Sequence, residues 1–499
     1  MTGKRTKYEM KQVSTMILVA AAFTYGYAAP PPTVLLRPHS SSNRLAFGSC
    51  NAQFGILTGE RIEQPLWPTI AARSPAAFVW LGDVVYSDRP SFSWDRLRSG
   101  RKPMVFTDVE MPGNAMNSKR EQLDAIYALQ KAEPGYAMFR EAVPIFGIYD
   151  DHDYGTNDGD ATFKHRSAGA RAFLDFIDEP ADSSRRSNSY AARGGIYTSH
   201  VFEINDVTVL LVLLDVRFAR TPYVRANKRN DEQQTGGILG KKQWAWLRAL
   251  LTPTALRRKN VDVVLVGSGT QILPTDRSAA ENWERYAAMG RRLELLALLR
   301  ASGVAHILLS GDVHFGELSS TVVHCAFRER EGSSKGSEVV ELTTSGMTHS
   351  WLRHDTLIGA SSWQGKLAGV VMARAFAVHA RWWPSPERES HYGGLNFGEI
   401  EFHSPSPANG HASATIRLLD RFGAVQIERN VSLAPPTTCK SGGESVVATP
   451  STPRSFWEGA PKKIIVVLMA IDFAWPVLIA IGAVVWVVRK RRRGKSPQT

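Results

Sequence analysis

Five apolar runs in this sequence each lead directly into residues that can bind a metal ion. They end in Ser49-Cys50-Asn51, Gly82-Asp83-Val84-Val85-Tyr86, Asp150-Asp151-His152-Asp153, Asp215-Val216-Arg217 and Gly311-Asp312-Val313-His314. Carboxylate, phenol, imidazole and thiol groups between them offer ligands to both hard and soft metals. Ligands in α/β proteins bind in the crevice at the carboxyl ends of strands. The five runs therefore predict one shared metal-binding site.

Each motif has a structural alternative when it is taken alone. A Gly-Asp pair after a strand, such as Gly82-Asp83, is usually a turn in which the aspartate caps a backbone amide. The three carboxylates within Asp150–Asp153 repel one another unless a cation or solvent offsets their charge, so here the functional and structural interpretations are even. Asp312 and His314 project from one side of an extended segment, as a two-point metal grip requires. Structural explanations for all the motifs at once are improbable.

The elements that must position these residues alternate between strand and helix. Strands are predicted at Leu45–Gly48, Ala77–Leu81, Pro144–Tyr149, Val207–Leu214, Val261–Val266, His306–Leu309 and Glu338–Thr343, and helices at Lys119–Leu129, His165–Ile177, Lys241–Leu251 and Gly290–Ala301. Nearly continuous apolar strands separated by helices indicate an α/β fold with sheets buried on both faces. The pattern then changes, and antiparallel strands are predicted at Phe397–His403, Ala412–Leu418 and Gly423–Val431.

The order of these motifs resembles that of the PhoD-type alkaline phosphatases, a branch of the metallophosphoesterase superfamily. The resemblance covers roughly residues 44–400 and rests on the series FGSCN, WLGDVVY, YDDHDYGTND, LDVRF, SGTQILP, SGDVHFGE and ELTTSGMTHSW. It implies a layered α/β/β/α sandwich. It also implies that a metal-activated hydroxide hydrolyses phosphate esters at a dinuclear or larger centre.

The resemblance assigns a role to each candidate ligand. Asp83 matches the bridging aspartate, while Cys50 and Tyr86 match ligands of a ferric iron. The other implied metal ligands are Asp151, Asn157, Asp312 and His314. Family members are described as using Fe³⁺ with Ca²⁺, and a thiol and a phenol beside hard carboxylates suit that pair, although other divalent metals are possible.

Two residues are predicted to act on the phosphate itself. His152 resembles the phosphate-facing histidine and would bind the phosphate or protonate the leaving group. Arg217 would neutralise the equatorial oxygens, although a salt bridge to Asp215 or another acid is an equal alternative. Asp150 and Asp215 are further candidates for the site. His165, His349, His391 and Trp351 lie near the same motifs, but a lone histidine is more often structural.

The ends of the chain predict a membrane protein. Residues 1–29 are expected to be a signal peptide (or an uncleaved signal anchor), followed by a leader (30–43), the catalytic domain (44–435), a stalk rich in Ser, Thr, Pro and Gly (436–462), a transmembrane helix (464–488) and a basic cytoplasmic tail (489–499). The net charge of +13 is concentrated at both ends, which indicates membrane topology and excludes a nucleic-acid-binding face.

This topology predicts a single-pass type I protein whose catalytic domain is extracellular or lumenal. Asn430 begins a glycosylation sequon that suits such a domain. With three cysteines, at least one stays unpaired in an oxidising compartment, and the sequence leaves open whether Cys325 and Cys439 pair.

The expected partners are a phosphate-ester substrate and the membrane. Two other functions stay open. The same site would also suit a phosphodiesterase or a phospholipid hydrolase, which membrane anchoring makes plausible. The fold would also suit a catalytically inactive binding ectodomain, although every ligand type that the motifs require is present.

Overall fold

A computed structural model of the 499-residue chain describes most of the predicted catalytic domain and little of the two ends. The described residues are 35–36, 42–55, 60–92, 94–99, 104–109, 118–186, 189–222, 237–275, 281–283, 291–325, 336–352, 374–375, 377–378, 386–405, 410–436, 446–450, 469–470 and 472.

Strands and short helices alternate along the first two thirds of this part. The strands are β1 (Leu35–Leu36), β2 (Arg44–Gly48), β3 (Ala77–Leu81), β4 (Asp88–Phe92), β5 (Met104–Asp108), β6 (Ile145–Ile148), β7 (Thr198–Ile204), β8 (Val207–Leu214), β9 (Val263–Ser268), β10 (Ala305–Ser310), β11 (Gly316–Cys325), β12 (Ser337–Thr343), β13 (Arg388–Tyr392), β14 (Asn396–His403), β15 (Ser413–Asp420), β16 (Val425–Ser432) and β17 (Val446–Pro450). The helices are α1 (Leu66–Ala72), α2 (Trp94–Arg98), α3 (Lys119–Lys131), α4 (Pro134–Ala142), α5 (Asp151–Tyr154), α6 (Arg166–Phe176), α7 (Tyr190–Arg193), α8 (Gly240–Leu250), α9 (Pro253–Arg258) and α10 (Arg291–Ala301).

Two large sheets organise the described residues. The nine-stranded sheet has the order β1-β7-β8-β9-β10-β12-β11-β13, with β17 also paired to β11. Its centre, from β8 through β9 and β10 to β12, is parallel. The six-stranded sheet has the order β16-β15-β14-β2-β3-β6, and its β2, β3 and β6 are parallel. Parallel strands direct their carboxyl ends to one edge, so each sheet presents one edge of loops for a site.

The two sheets face each other across a shared apolar core. A side chain on Gly267 of β9 would lie 2.8 Å from Leu213 of β8 and 3.0 Å from Leu81 of β3, in the other sheet. On the outer face of the six-stranded sheet, Trp67 of α1 packs edge-on against Trp80, with ring centroids 5.4 Å apart. A second core lies between the nine-stranded sheet and helices α8 to α10. The prediction of a mixed α/β fold is confirmed.

The structure also contains strands that the sequence did not indicate. The hairpin of β4 and β5 was not predicted, because Pro90 interrupts the strand pattern. Strand β17 lies inside the segment 436–462 that its composition assigned to a stalk, and Val446 is buried against the second core. Strand β1 lies in the predicted leader and pairs with β7. The folded part of the chain therefore extends beyond the predicted limits of 44 and 435.

The predictions for the two ends fall largely outside the described residues. This holds for the signal peptide (1–29), the basic tail (489–499) and nearly all of the predicted transmembrane helix (464–488). Among the described residues, no helix combines the length and the apolar character needed to cross a membrane. Asp472, inside 464–488, is described and forms an ion pair with Arg374.

Candidate metal centre

The candidate site lies where the carboxyl ends of β2, β3 and β6 meet the carboxyl end of β10. Gly82 and Gly311, the first residues after β3 and β10, allow this close approach. A side chain on Gly82 would lie 2.3 Å from Cβ of Asp150, and one on Gly311 would lie 2.4 Å from the Ser49 hydroxyl. The loops that follow contain non-glycine residues with positive φ, namely Cys50, Asp83, Asp312 and His314. Such backbone strain clusters at functional sites because surrounding contacts must enforce it.

Among the described residues, the candidate metal-binding atoms form four groups, of which three share Asp83 and the fourth contains Asp151, Asp158 and Glu281. One group contains Cys50, Asp83 and His314, a second contains Asp83, Asp151 and His152, and a third contains Asp83, Asp150, Asp151 and Asp312. Within each group one ligand atom per residue lies within 4.8 Å of the others. A carboxylate common to three groups is suited to bridge two metal ions.

Soft and aromatic donors lie on one side of Asp83. The phenol oxygen of Tyr86 is 3.2 Å from Asp83 Oδ2 and 3.0 Å from His314 Nε2. The Cys50 sulfur lies 3.5 Å from the same Asp83 oxygen. Ser345 Oγ lies 2.9 Å from that sulfur and accepts a 2.6 Å hydrogen bond from the His314 amide. Burial raises the pKa of the Cys50 thiol to about 11, so the thiol stays protonated unless a cation stabilises the thiolate.

Carboxylates without sufficient counter-charge lie on the other side. Burial, together with neighbouring carboxylates, holds the pKa of Asp83 and Asp312 well above the usual range. Burial also raises the pKa of Asp150 to about 6. One oxygen each of Asp150 and Asp312 is buried without a hydrogen bond. Orphaned buried carboxylate oxygens are costly, and bound cations would supply the missing partners, so the donors present fit a metal centre.

His152 is fixed beside this centre by contacts with Asp88 and Tyr86. Its Nδ1 lies 2.6 Å from Asp88 Oδ1, and its ring stacks on Tyr86 with centroids 4.2 Å apart. Burial alone would lower the pKa of His152, but Asp151 and Asp88 outweigh it and raise the value to about 9. In the metal-free chain these acids favour the doubly protonated imidazolium, in which Nε2 is the nitrogen not engaged by Asp88.

Comparison with known protein families decides what kind of protein carries this centre. The family model described as PhoD-like phosphatase matches residues 45–379. The chain belongs to the PhoD-like phosphatase family. It is accordingly a phosphoric ester hydrolase, and the predicted family is confirmed.

Other comparisons add the following findings. A solved structure titled "Structure of PhoD" aligns with 16% sequence identity and a TM-score of 0.47, covering 80% of this chain and 72% of that chain. A search of the curated proteins finds no match.

Arg217 of this PhoD-like phosphatase is paired with buried acids. The side chain is wholly buried, with Nε 2.5 Å from Asp150 and Nη1 2.5 Å from Glu281. Arg220 binds the same Glu281 oxygen at 2.8 Å. The salt-bridge alternative is present in the structure, although the acids are Asp150 and Glu281 and not Asp215. The other terminal nitrogen, Nη2, is buried without a hydrogen bond, and the contact with the phosphate stays a prediction.

Asp215 holds the backbone and is absent from the described groups of metal-binding residues. Its carboxylate accepts hydrogen bonds from the Tyr149 hydroxyl at 2.6 Å and from the amides of Ile196, Arg217 and Phe218 at 2.8 to 3.0 Å. Four donors saturate the two oxygens, so Asp215 fixes the turn that carries Arg217.

The roles of Asn157 and Asn430 stay predictions. The backbone amide of Asn157 donates a hydrogen bond to Asp88 Oδ2 at 2.7 Å. The residue also lines a cavity of about 420 Å³ together with Asp158 and His165. Asn430 is exposed on edge strand β16, where its side-chain oxygen accepts a hydrogen bond from Thr415.

Four further residues meet the site without having been among the predicted site residues: Asp88, Glu281, Ser345 and His349. The His349 ring stacks on His314 with centroids 3.8 Å apart, and its buried Nδ1 has no hydrogen bond. The motif that contains Ser345 and His349 was part of the family resemblance and gave a usable signal. Glu281 gave none, because its contact with Arg217 spans 64 residues of sequence.

Proposed function

We propose that this chain hydrolyses phosphate esters at a centre of two or more metal ions bridged by Asp83. One observation carries the proposal: Asp83 is shared by three overlapping donor groups, and these groups include buried carboxylate oxygens that lack a partner. When bound, the metals supply Lewis acidity, which makes water a nucleophile near neutral pH and offsets the charge of the phosphate.

The donors divide into two sets of different chemistry. Cys50, Tyr86 and His314 meet on one side of Asp83 and suit ferric iron, since thiolate, phenolate and imidazole are ligands of that metal type. Asp150, Asp151 and Asp312 form a separate group with Asp83 and offer only oxygen, which suits Ca²⁺. The proposed cofactors are therefore Fe³⁺ and Ca²⁺.

His152 is proposed as the residue that acts on the substrate. Asp88 fixes Nδ1 and, with Asp151, keeps the imidazole protonated, so Nε2 holds a proton that can be donated. We assign that proton to the phosphate or to the oxygen of the departing alcohol. The stacked Tyr86 ring limits rotation of the imidazole and so preserves the direction of this donation.

Arg217 is proposed to position ligands. Its Nε contacts Asp150 at 2.5 Å, its Nη1 contacts Glu281 at 2.5 Å, and its Nη2 lies 3.8 Å from Asp151. Burial alone would raise the pKa of Asp151, but Arg217 and His152 outweigh it and lower that pKa well below its usual range. Asp151 is therefore ionised and ready to bind a cation.

The proposal is tested by elemental analysis of the purified full chain together with turnover of p-nitrophenyl phosphate. We expect stoichiometric iron or calcium and turnover in the natural sequence, and loss of both in Asp83→Asn. Asp95→Asn, which changes a carboxylate that is 93% exposed, is the matched control and should behave like the natural sequence. A folded natural chain without metal and without turnover would contradict the proposal and favour an inactive binding ectodomain.

We also propose that the catalytic domain faces an oxidising compartment, anchored by residues 464–488. Cys325 is disulfide-bonded and Cys50 is free, and disulfides persist mainly outside the cytosol. The 464–488 stretch is apolar and precedes a strongly basic tail, the arrangement of a stop-transfer segment. Protease protection of intact vesicles tests this orientation. Digestion of the domain from the cytosolic side would refute it.

A further inference from the structure

The β4–β5 hairpin is held at the candidate centre by β4 and at helix α3 by β5. Asp88, the first residue of β4, contacts His152 Nδ1 at 2.6 Å and accepts the Asn157 amide at 2.7 Å. Asp108, the last residue of β5, forms a 2.7 Å ion pair with Lys119, whose side chain is only 4% exposed. A hairpin anchored in this way holds its side chains at a defined distance from His152.

The register of the hairpin directs Phe106 toward the same imidazole. Asp88 pairs with Asp108, and Pro90 pairs with Phe106. Opposite residues, and residues two apart on one strand, share a face of a hairpin, so Phe106 lies on the face that carries Asp88. The ring centroids of Phe106 and His152 are accordingly 5.9 Å apart.

Phe106 is nevertheless 40% exposed. A single exposed phenylalanine is ordinary on a protein surface, but this one contacts the imidazole that we assign to the departing alcohol. Apolar surface therefore lies beside the His152 imidazole.

We propose that Phe106 binds the alcohol portion of the substrate and selects phosphate esters of aromatic or alkyl alcohols over esters of small polar alcohols. This inference rests on the proposed function. With the phosphate at the metal-binding groups and His152 directed at the ester oxygen, the substituent on that oxygen extends past the imidazole toward the exposed ring. Contact with Phe106 removes apolar surface of both partners from water, which favours an apolar substituent.

The test compares kcat/KM of the full chain on three monoesters: 1-naphthyl phosphate, octyl phosphate and glycerol 2-phosphate. In Phe106→Ala we expect kcat/KM to fall about tenfold on at least one apolar ester, mainly because KM rises. On glycerol phosphate kcat/KM should change less than about twofold. Phe106→Leu should retain most of the activity on octyl phosphate. Phe422→Ala removes another exposed phenylalanine, 76% exposed in the turn after β15, and should change nothing.

The outcomes separate the inference from the function on which it rests. The apolar ester that loses more activity identifies whether the alcohol is aromatic or alkyl. Equal loss on all three esters in Phe106→Ala would overturn the inference and make Phe106 a support for His152. No turnover of any ester by the natural sequence, with no bound metal, would overturn the proposed function and this inference with it.

Discussion

Two clusters of buried carboxylates in this molecule differ in the groups that offset their negative charge. Glu399 on β14 is buried, and Arg73 grips it with two hydrogen bonds of 2.7 and 2.8 Å while Arg417 adds a third at 3.2 Å. Asp83 is buried to the same degree, but its described contacts are other candidate ligands and the His152 amide. Arginines pair with the carboxylates of the first cluster, whereas in the second cluster Arg217 pairs with Asp150 and Asp151 and leaves Asp83 among other acids.

The pKa shifts express this difference. Burial would raise the pKa of Glu401, beside Glu399, but hydrogen bonds from Arg417 and Asn43 lower it to about 2. At Asp83 burial and the neighbouring acids act in the same direction and raise the pKa. An arginine-paired cluster serves stability as it stands, whereas the cluster around Asp83 requires protons or cations. The contrast supports a metal centre more strongly than the acidic residues do alone.

Loss of a carboxylate should therefore have its largest catalytic effect at Asp83. In Asp83→Asn we expect kcat/KM for p-nitrophenyl phosphate to fall about a thousandfold or more, because the proposed shared ligand would be lost together with the metals that it would hold. The metal-free form should unfold at the same temperature as the metal-free natural chain or higher, since one uncompensated charge is gone. Turnover assays and thermal unfolding in chelator measure the two effects. A variant that loses activity by unfolding would contradict the comparison.

Arg217 is a buried arginine that pairs with an acid, Glu281, and also binds the candidate ligand Asp150. Lysine retains the charge but loses the planar fork, so Arg217→Lys should lower metal affinity or kcat/KM by about tenfold to a hundredfold. The matched control is Arg185→Lys, another buried arginine, which binds Glu179 at 2.8 Å away from the described donor groups. The control should lose stability and keep its metals. Equal metal loss in both variants would show a general folding effect.

Glu399→Gln should lower stability without affecting metal binding or catalysis. We expect the free energy of unfolding to fall by about 2 kcal/mol, because three arginines lose a buried charged partner while remaining partly hydrated. Metal content and kcat should stay unchanged. Urea unfolding and elemental analysis measure these quantities. Reduced metal content in a folded Glu399→Gln variant would mean that the two clusters are coupled.

Strands β8 and β11 show what the sequence predicted and what it missed. Strand β8 was predicted at its observed limits, because eight consecutive apolar or β-branched residues suit a strand covered on both faces. Strand β11 was missed since Glu317, Ser319 and Ser320 look like loop residues. The structure buries them between β12 and β13, where Arg388 pairs with Glu317 at 2.8 Å.

The candidate site also has a part that the sequence predicts and a part that it does not. The ends of parallel strands meet at one edge, so the convergence of Asp83, Asp151 and Asp312 follows from the order of motifs along the chain. The order of motifs does not predict the partners of Arg217. Asp215 is two residues away in sequence, but the guanidinium reaches Asp150 and Glu281, which are 67 and 64 residues away. Side-chain direction inside a packed core depends on contacts that local sequence does not encode.

The smallest expected effect is the pH dependence of the metal-free chain. Burial raises the pKa of Asp150 to about 6 and that of Asp153 to about 8, above their ordinary value of 3.8. Carboxyls with raised pKa values bind more protons in the folded chain than in the unfolded one, so their contribution is present below about pH 4 and is lost as the pH rises toward 8. His152, with its pKa raised to about 9, acts in the same direction above pH 6.5.

In chelator, the free energy of unfolding should thus fall by at least about 1 kcal/mol between pH 5 and pH 8, the equivalent of one pKa unit. The metal-loaded chain should show the opposite trend or none, because deprotonated ligands bind cations more tightly. Urea unfolding at both pH values, with and without chelator, measures the difference. A metal-free chain that becomes more stable toward pH 8 would mean that the carboxylates around Asp83 already have their counter-charges, as Glu399 does.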